Sequence, residues 1–176
     1  MAILNIPDQN YSSTDVNEIK TFLNNLGVFF DQWEAAVEFS DDADQDTILK
    51  AYEHALSPYM KSNGYEVADV ISINSTTPNY EAIRAKFLSE HIHTEDEVRF
   101  FVDGEGLFWF NMEDGKTPIF NVCCQSGDLI SVPANTKHWF DAGESNPFVK
   151  AIRVFIDTSG WVPHYTNSGI AEKYLA

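Results

Sequence analysis

The sequence predicts a mainly β protein, an antiparallel sandwich or barrel with helices ahead of it. From Phe87 onward short β-rich runs follow one another: "KFLSEHIH", "EVRFFVDG", "GLFWFNM", "IFNVCC", "DLISVP", "KHWFDAG" and "FVKAIRVFID". Turn formers separate them, among them "DGEG", "EDGKTP", "QSGD", "PANT" and "GESNP", the pattern of short antiparallel strands. Before Phe87 the apolar residues fall mostly at helical spacing. No internal repeat and no linker interrupts the chain, so 176 residues are expected to form one domain. Its parts would be a helical and mixed segment (1–86), a barrel core (87–158) and a C-terminal loop and tail (159–176).

Taken in order, "SST" and Asp15 offer N-cap chemistry for a helix in which Val16, Ile19, Leu23 and Leu26 share a stripe and Gly27 ends it. "GVFFDQWEA" suits a short strand. "DDADQDTILKAYEHALSPYMKSNGY" predicts a second helix with an acidic start that suits the positive helix N-terminus, broken or bent near its end by Pro58. "EVADVISIN" alternates as a strand does, and "STTPNYEAIRAKF" reads as a loop or short helical segment. After the β-rich runs, "TSGWVPHYTNSGIAEKYLA" reads as loop with a terminal turn.

Charge narrows the partners. Eleven basic residues against twenty-seven acidic ones give a net charge of −16, a surface that repels nucleic acid and anionic lipid and opposes self-association, so a monomer is expected. No apolar run spans a bilayer, and the opening "MAILNIPDQNYSS" lacks a basic and apolar leader. The two cysteines are neighbours, Cys123 and Cys124, and a bridge between them would close almost no loop. Two buried thiols in a reducing cytoplasm are the plainer expectation.

The chemistry gathers in "SEHIHTEDEVRFF". Residues two apart on a strand share a face, so His91 and His93 point one way. Thr94, Glu95 and Asp96 can turn the chain, which starts Glu97 on the next strand beside His93, with Arg99 on the same face. A further ligand must come from elsewhere. His138 is placed for it, following the strand and Pro-led turn of "GDLISVPANTK". His54, within helical "AYEHAL", and His164, in "WVPHY", read as ordinary structural histidines. Three imidazoles and a carboxylate suit a borderline divalent transition metal, whereas structural zinc more often uses cysteine and closes at four ligands. A six-coordinate iron or nickel on four protein ligands keeps two positions free for a bidentate oxygen ligand.

"HIHTEDEVRFFVDG" (His91 through Glu97 to Gly104) and "GDLISVPANTKH" (Gly127 through Pro133 to His138) resemble the two cupin motifs, which imply an antiparallel barrel of the double-stranded jelly-roll type. Asn135 stands where a glycine would follow Pro133, and asparagine tolerates the positive φ such a turn needs. Together with "IKTFLNNLGVFFDQWEA", "ILKAYEHALSPYMKSNGYEVADVI" and "KAIRVFIDTSGWVPHY", most of the chain, from about Ile19 to Tyr165, is similar to the acireductone dioxygenase family.

That resemblance implies a reaction of the aci-reductone 1,2-dihydroxy-3-keto-5-methylthiopentene with O2 in methionine salvage. With one Fe(II) per chain the products are 4-methylthio-2-oxobutanoate and formate; with Ni(II), 3-methylthiopropanoate, formate and CO. It implies His91, His93, Glu97 and His138 as metal ligands and Arg99 as the cation that favours the substrate dianion. Glu90 and Asp96 match positions tied to metal incorporation and to small conformational changes.

An arginine provides a permanent charge for such an anion. Arg153 is a second candidate, with a salt bridge at the barrel rim as the other reading. Phe87, Phe140 and Trp161 are candidates to wall in a thioether tail, or plain core. Glu90 lies on the face opposite His91, where it would orient ligands rather than bind metal. Two alternatives stand beside this one. One is a metal cupin acting on a different small anion, as a dioxygenase or isomerase; a phosphate substrate would call for more basic residues. The other is a non-enzymatic ligand-binding cupin, for which the acidic N-terminal part offers no convincing nucleic-acid module.

Overall fold

The structure, a computed structural model, describes residues 1–156 and 162–175. β1 (Ile3–Ile6) and β2 (Tyr11–Ser13) form a hairpin around a 3-10 turn that Asn10 closes at φ 50°. α1 (Val16–Asn25) starts where the Asp15 carboxylate accepts the Glu18 N–H at 3.0 Å, buries Ile19 and Leu23, and is followed by Gly27 at φ 80°. β3 is Phe29–Gln32.

α2 (Gln45–Asn63) runs through Pro58, so the expected break does not occur. The bond Pro58 cannot donate would go to the carbonyl of His54, an exposed residue that water can satisfy. Gly64 at φ 75° ends the helix instead. α2 buries Ile48, Ala51, Tyr52 and Leu56. Among the described residues no helix is long and apolar enough to cross a membrane.

β4 (Val67–Asn74) is followed by α3 (Tyr80–Leu88), so Lys86–Leu88, expected as part of a strand run, end a helix. Of that run only β5 (His91–Ile92) is extended. β6 (Glu97–Asn111) is one strand of 15 residues where two strands separated by "DGEG" were expected. The glycines do not reverse the chain. Pairing passes from Phe101↔Ala151 to Asp103↔Lys150, so Val102 is the extra residue of a bulge, and Gly104 follows at φ 75°. The remaining elements are β7 (Phe120–Gln125), β8 (Asp128–Val132), β9 (Lys137–Asp141), β10 (Phe148–Phe155), β11 (His164–Tyr165) and a 3-10 helix, Ile170–Tyr174.

Among the described residues all pairing is antiparallel, in the jelly-roll-like arrangement expected. β6 belongs to both faces of it. Its first half pairs with β8 and β10, the latter extended by β4 and the former by β3. Its second half pairs with β7 and β9, which lead on to β1 and β2 on one side and to β5 and β11 on the other. The segment before Phe87 therefore contributes strands to the sheet as well as helices.

Both faces of the first half of β6 are covered, which is why "EVRFFV" is buried throughout. Val98, Phe100 and Val102 face the α2 layer with Tyr52 and Leu56. Glu97, Arg99 and Phe101 take the alternate face, where Phe101 joins the interior cluster of Phe108, Phe110, Phe120 and Phe140. A third cluster, Trp109, Trp139 and Ala171, lies where the C-terminal 3-10 helix covers the outside of β6 and β9.

Candidate metal centre

One turn and one long-range strand pairing build the site. His91 lies on β5 and pairs directly with His138 on β9. His93 directly follows β5, and Glu97 opens β6 after a bend at Thr94–Glu95. The ligand atoms of His91, His93, Glu97 and His138 all lie within 4.8 Å of one another. All four residues are essentially buried, at 0%, 2%, 2% and 1% exposure in that order.

The hydrogen bonds of the imidazoles decide what this cluster can bind. His91 Nδ1 lies 2.7 Å from the Ser89 carbonyl, His93 Nδ1 3.0 Å from the Val162 carbonyl and His138 Nδ1 2.8 Å from the Thr136 carbonyl. A carbonyl only accepts, so each Nδ1 carries the hydrogen and donates it. In this tautomer the ring nitrogen left to face the centre is Nε2, whose lone pair is the one a metal would use. Among the described residues, His91 Nε2 and His93 Nε2 are buried with no hydrogen-bond partner.

His138 Nε2 lies 2.8 Å and His93 Nε2 3.2 Å from Glu97 Oε2, so lone pairs face a carboxylate oxygen. That arrangement needs a cation at the centre. One proton could bridge a single pair; a divalent metal satisfies all four groups at once. The residues present fit a metal of the imidazole-and-carboxylate class.

The surrounding electrostatics agree. Burial, with the neighbouring His138 next, pulls the His91 imidazole down to about 4, keeping it neutral. Burial alone would raise the Glu97 carboxyl. The Arg99 guanidinium beside it opposes that and holds the carboxyl well below its usual range. Glu97 divides its two oxygens: Oε2 faces the imidazoles, and Oε1 lies 3.1 Å from Arg99. Burial lowers the Arg99 guanidinium from its usual value, with Glu97 opposing that shift.

Beside the cluster opens a cavity of about 430 Å³, lined by Arg99, Arg153, Phe87 and Phe140 together with apolar Ile71, Ile73 and Val162. Arg153 is the register partner of Arg99 across β10 and β6. It also makes a two-pronged pair with Asp69 on β4, at 2.8 and 2.6 Å, so it is both a salt-bridge residue and a cavity residue. The Phe140 ring lies under the Arg99 guanidinium at 4.5 Å, and Phe87 packs 5.9 Å from His91. Trp161 lies outside the described residues. α3 roofs the cavity, held by Arg84 on Asp141 at 2.9 and 3.0 Å and by Tyr165 Oη donating to the Lys86 carbonyl at 2.6 Å.

Glu90 and Asp96 flank the cluster without entering it. Glu90, 3% exposed, accepts from Thr166 and Ser168 through Oε1 and from Asn111 through Oε2, at 2.6, 2.8 and 2.9 Å. Its backbone carbonyl accepts the Thr166 N–H at 3.1 Å. It thus fastens the C-terminal segment, which pairs with β5 through β11 and supplies the Val162 carbonyl to His93. Asp96 accepts from the Ala134 N–H at 2.9 Å and from Tyr65 Oη at 2.8 Å. It ties the turn before Glu97 to the turn before His138, where Asn135 has the positive φ expected of it, 65°. His54 and His164 are exposed and stand apart from the cluster. Cys124 is buried and Cys123 half-buried, both free thiols.

Sequence reasoning missed the Val162 carbonyl, Asn111, Thr166 and Ser168, because a backbone acceptor and small hydroxyls leave no pattern. It also missed Phe108, 5.7 Å from Arg99. Strict alternation from Arg99 puts residue 108 on the outside. The bulge at Val102 inverts the parity and turns Gly106, Phe108 and Phe110 inward.

Comparison with known proteins agrees with this geometry. A family model described as the ARD/ARD' family matches residues 6–163. An acireductone dioxygenase of Picosynechococcus sp. is 55% identical over 176 residues, covering 100% of this chain and 98% of that one. One from Granulibacter bethesdensis is 51% identical over 162 residues, 92% of this chain and 88% of that one. Among solved structures, an acireductone dioxygenase from Bacillus anthracis with a cadmium ion in its active centre superposes with a TM-score of 0.83. It is 34% identical and covers 94% of this chain and 98% of that one.

Proposed function

The chain belongs to the ARD/ARD' family of acireductone dioxygenases, and on that premise we propose that it binds one Fe(II) or Ni(II) through His91, His93, Glu97 and His138. Its substrate is then the aci-reductone 1,2-dihydroxy-3-keto-5-methylthiopentene, cleaved with O2. The observation that carries this reading is the set of imidazoles whose Nδ1 hydrogens are all committed to carbonyls, while one ligand atom from each ring and from the Glu97 carboxylate gather within 4.8 Å of one another.

When bound, such an ion, held by His91, His93, Glu97 and His138, would supply Lewis acidity toward the oxygens of the substrate. The chain's own residues do the rest. Arg99 borders the cluster through Glu97 Oε1 and faces the cavity, where its fixed charge favours the doubly deprotonated substrate. An enediolate is more electron-rich than its acid and reacts more readily with O2. Phe87, Phe140, Ile71 and Ile73 offer an apolar wall for the methylthio tail and keep water from it. Arg153, held by Asp69, adds positive potential at the same wall. Glu90 and Asp96 position the ligand-bearing turns.

We read residues 1–176 as one domain and the protein as a monomeric cytoplasmic enzyme of methionine salvage, since its charge of −16 opposes close self-association. The Fe form would release 4-methylthio-2-oxobutanoate and formate, and the Ni form 3-methylthiopropanoate, formate and CO. The test loads metal-free protein anaerobically with each ion, adds synthetic aci-reductone and O2, and analyses the products. CO from the Ni form alone is the expected result. Failure of both loaded forms to accelerate substrate loss overturns the assignment.

A further inference from the structure

We propose that Gly106 is a positioning residue for the substrate anion: by carrying no side chain it seats the Phe140 ring, and that ring sets where the Arg99 guanidinium stands. The proposal rests on the reading that Arg99 meets the substrate anion.

Gly106 has no backbone reason to be glycine. It lies inside β6, and unlike Gly104 it is not among the glycines with positive φ. What excludes a side chain is a neighbour. A Cβ at residue 106 would fall on Phe140 Cζ and Cε2, far inside van der Waals contact, with Phe101 Cε2 at 3.5 Å. Phe140 therefore occupies the volume that any other residue at 106 would claim.

The same ring lies 4.5 Å from the Arg99 guanidinium carbon and lines the cavity. Phe108, fully buried, packs against it at 4.8 Å between centroids, so the open side of the ring is the cavity itself. A methyl at residue 106 must push the ring toward that open side, which is where the guanidinium and the substrate meet. Leucine at 140 lacks Cε2 and Cζ, the two atoms that collide. Among the contacts described, the ring reaches the candidate ligands through Arg99, whose partner is Glu97, so metal content is measured beside substrate binding in every variant.

The test is a cycle of Gly106→Ala, Phe140→Leu and the double variant, with Arg99→Lys as a control. Each is loaded with metal, assayed for metal content and titrated anaerobically with synthetic aci-reductone, following the ultraviolet shift of the bound dianion. Gly106→Ala is expected to hold metal as wild type does and to bind substrate about tenfold more weakly. Phe140→Leu removes the aromatic face from the guanidinium and should weaken binding roughly three- to tenfold.

The decisive comparison is between Phe140→Leu and the double variant. They should bind alike, because the methyl has nothing left to displace. That comparison stands even if Gly106→Ala alone does not fold. A double variant clearly weaker than Phe140→Leu, or a folded Gly106→Ala that binds as wild type does, overturns the proposal. Wild-type binding by Arg99→Lys overturns instead the reading of Arg99 on which the proposal rests.

Discussion

Replacing Glu90 by alanine should weaken the protein and its metal site together, because one carboxylate serves both. Glu90 accepts hydrogen bonds from Thr166, Ser168 and Asn111 while 3% exposed. Alanine leaves three donors without an acceptor. At about 1 kcal/mol each, and not strictly additive, the loss is about 2–4 kcal/mol. For a chain of this size that lowers the thermal midpoint by roughly 4–16 °C. The detached segment also carries the Val162 carbonyl that fixes His93 Nδ1. Losing such an outer partner costs about ten- to a hundredfold in metal affinity. Differential scanning calorimetry reads the first effect and chelator competition the second.

Glu90→Gln should behave differently, keeping most of the midpoint at neutral pH. Burial raises the Glu90 carboxyl, but hydrogen bonds from Thr166, Asn111 and Ser168 outweigh it, so the folded value lies below the ordinary 4.5. The carboxylate's stabilising contribution is therefore complete above 4.5 and lost as pH falls through the lower folded value. Glu90→Gln should flatten that part of the acid-unfolding curve. A Glu90→Ala protein that melts with wild type and holds metal as tightly would refute the latch.

Other substitutions test the site and the strand that carries it. His138→Ala and His91→Ala should each lose most bound metal on dialysis, while His54→Ala, an exposed helical histidine, should retain it; full metal content in His138→Ala would remove it from the ligand set. Arg99→Lys should keep its metal but lose a two-pronged, charge-assisted contact with the substrate dianion, about ten- to a hundredfold in affinity or rate, visible as a weaker ultraviolet shift on anaerobic binding. Gly104→Ala should destabilise by about 1–3 kcal/mol or more, since φ there is 75° and a Cβ would strike the Phe148 carbonyl; a midpoint unchanged by that variant would mean the bulge is tolerant.

That His91, His93, Glu97 and His138 come together could be read from the sequence because each is placed by a short motif. His91, His93 and Glu97 need only period-two alternation and one turn, and His138 needs only the Pro-led turn before β9. α1 was equally legible, since its cap, stripe and terminal glycine agree with one another. What escaped has physical causes. β1 and β2 are four and three residues long, a short hairpin tied to the rest of the sheet only where β1 pairs with β7, more than a hundred residues away, so little local signal marks them. "DGEG" has turn composition, yet β10 and β7 hold β6 extended through it, tertiary pairing overriding local preference. The bulge then inverted every facing assignment after Val102, which hid Gly106 and Phe108 from an argument built on alternation.

The Glu90 fastening also sets an order of events during synthesis. His91, His93 and Glu97 emerge near the middle of the chain, yet the acceptor for His93 is not made until Val162 and its fastening not until Thr166 and Ser168. β1 waits longer still: Asn5 meets Asn121 across 116 residues, about 6–23 s of elongation at bacterial-like rates. The nascent chain thus displays the histidine pair and one open edge of the β1–β2 hairpin before either has its distant partner. The four-residue cluster with its outer hydrogen bonds therefore exists only once the chain has been made through Ser168.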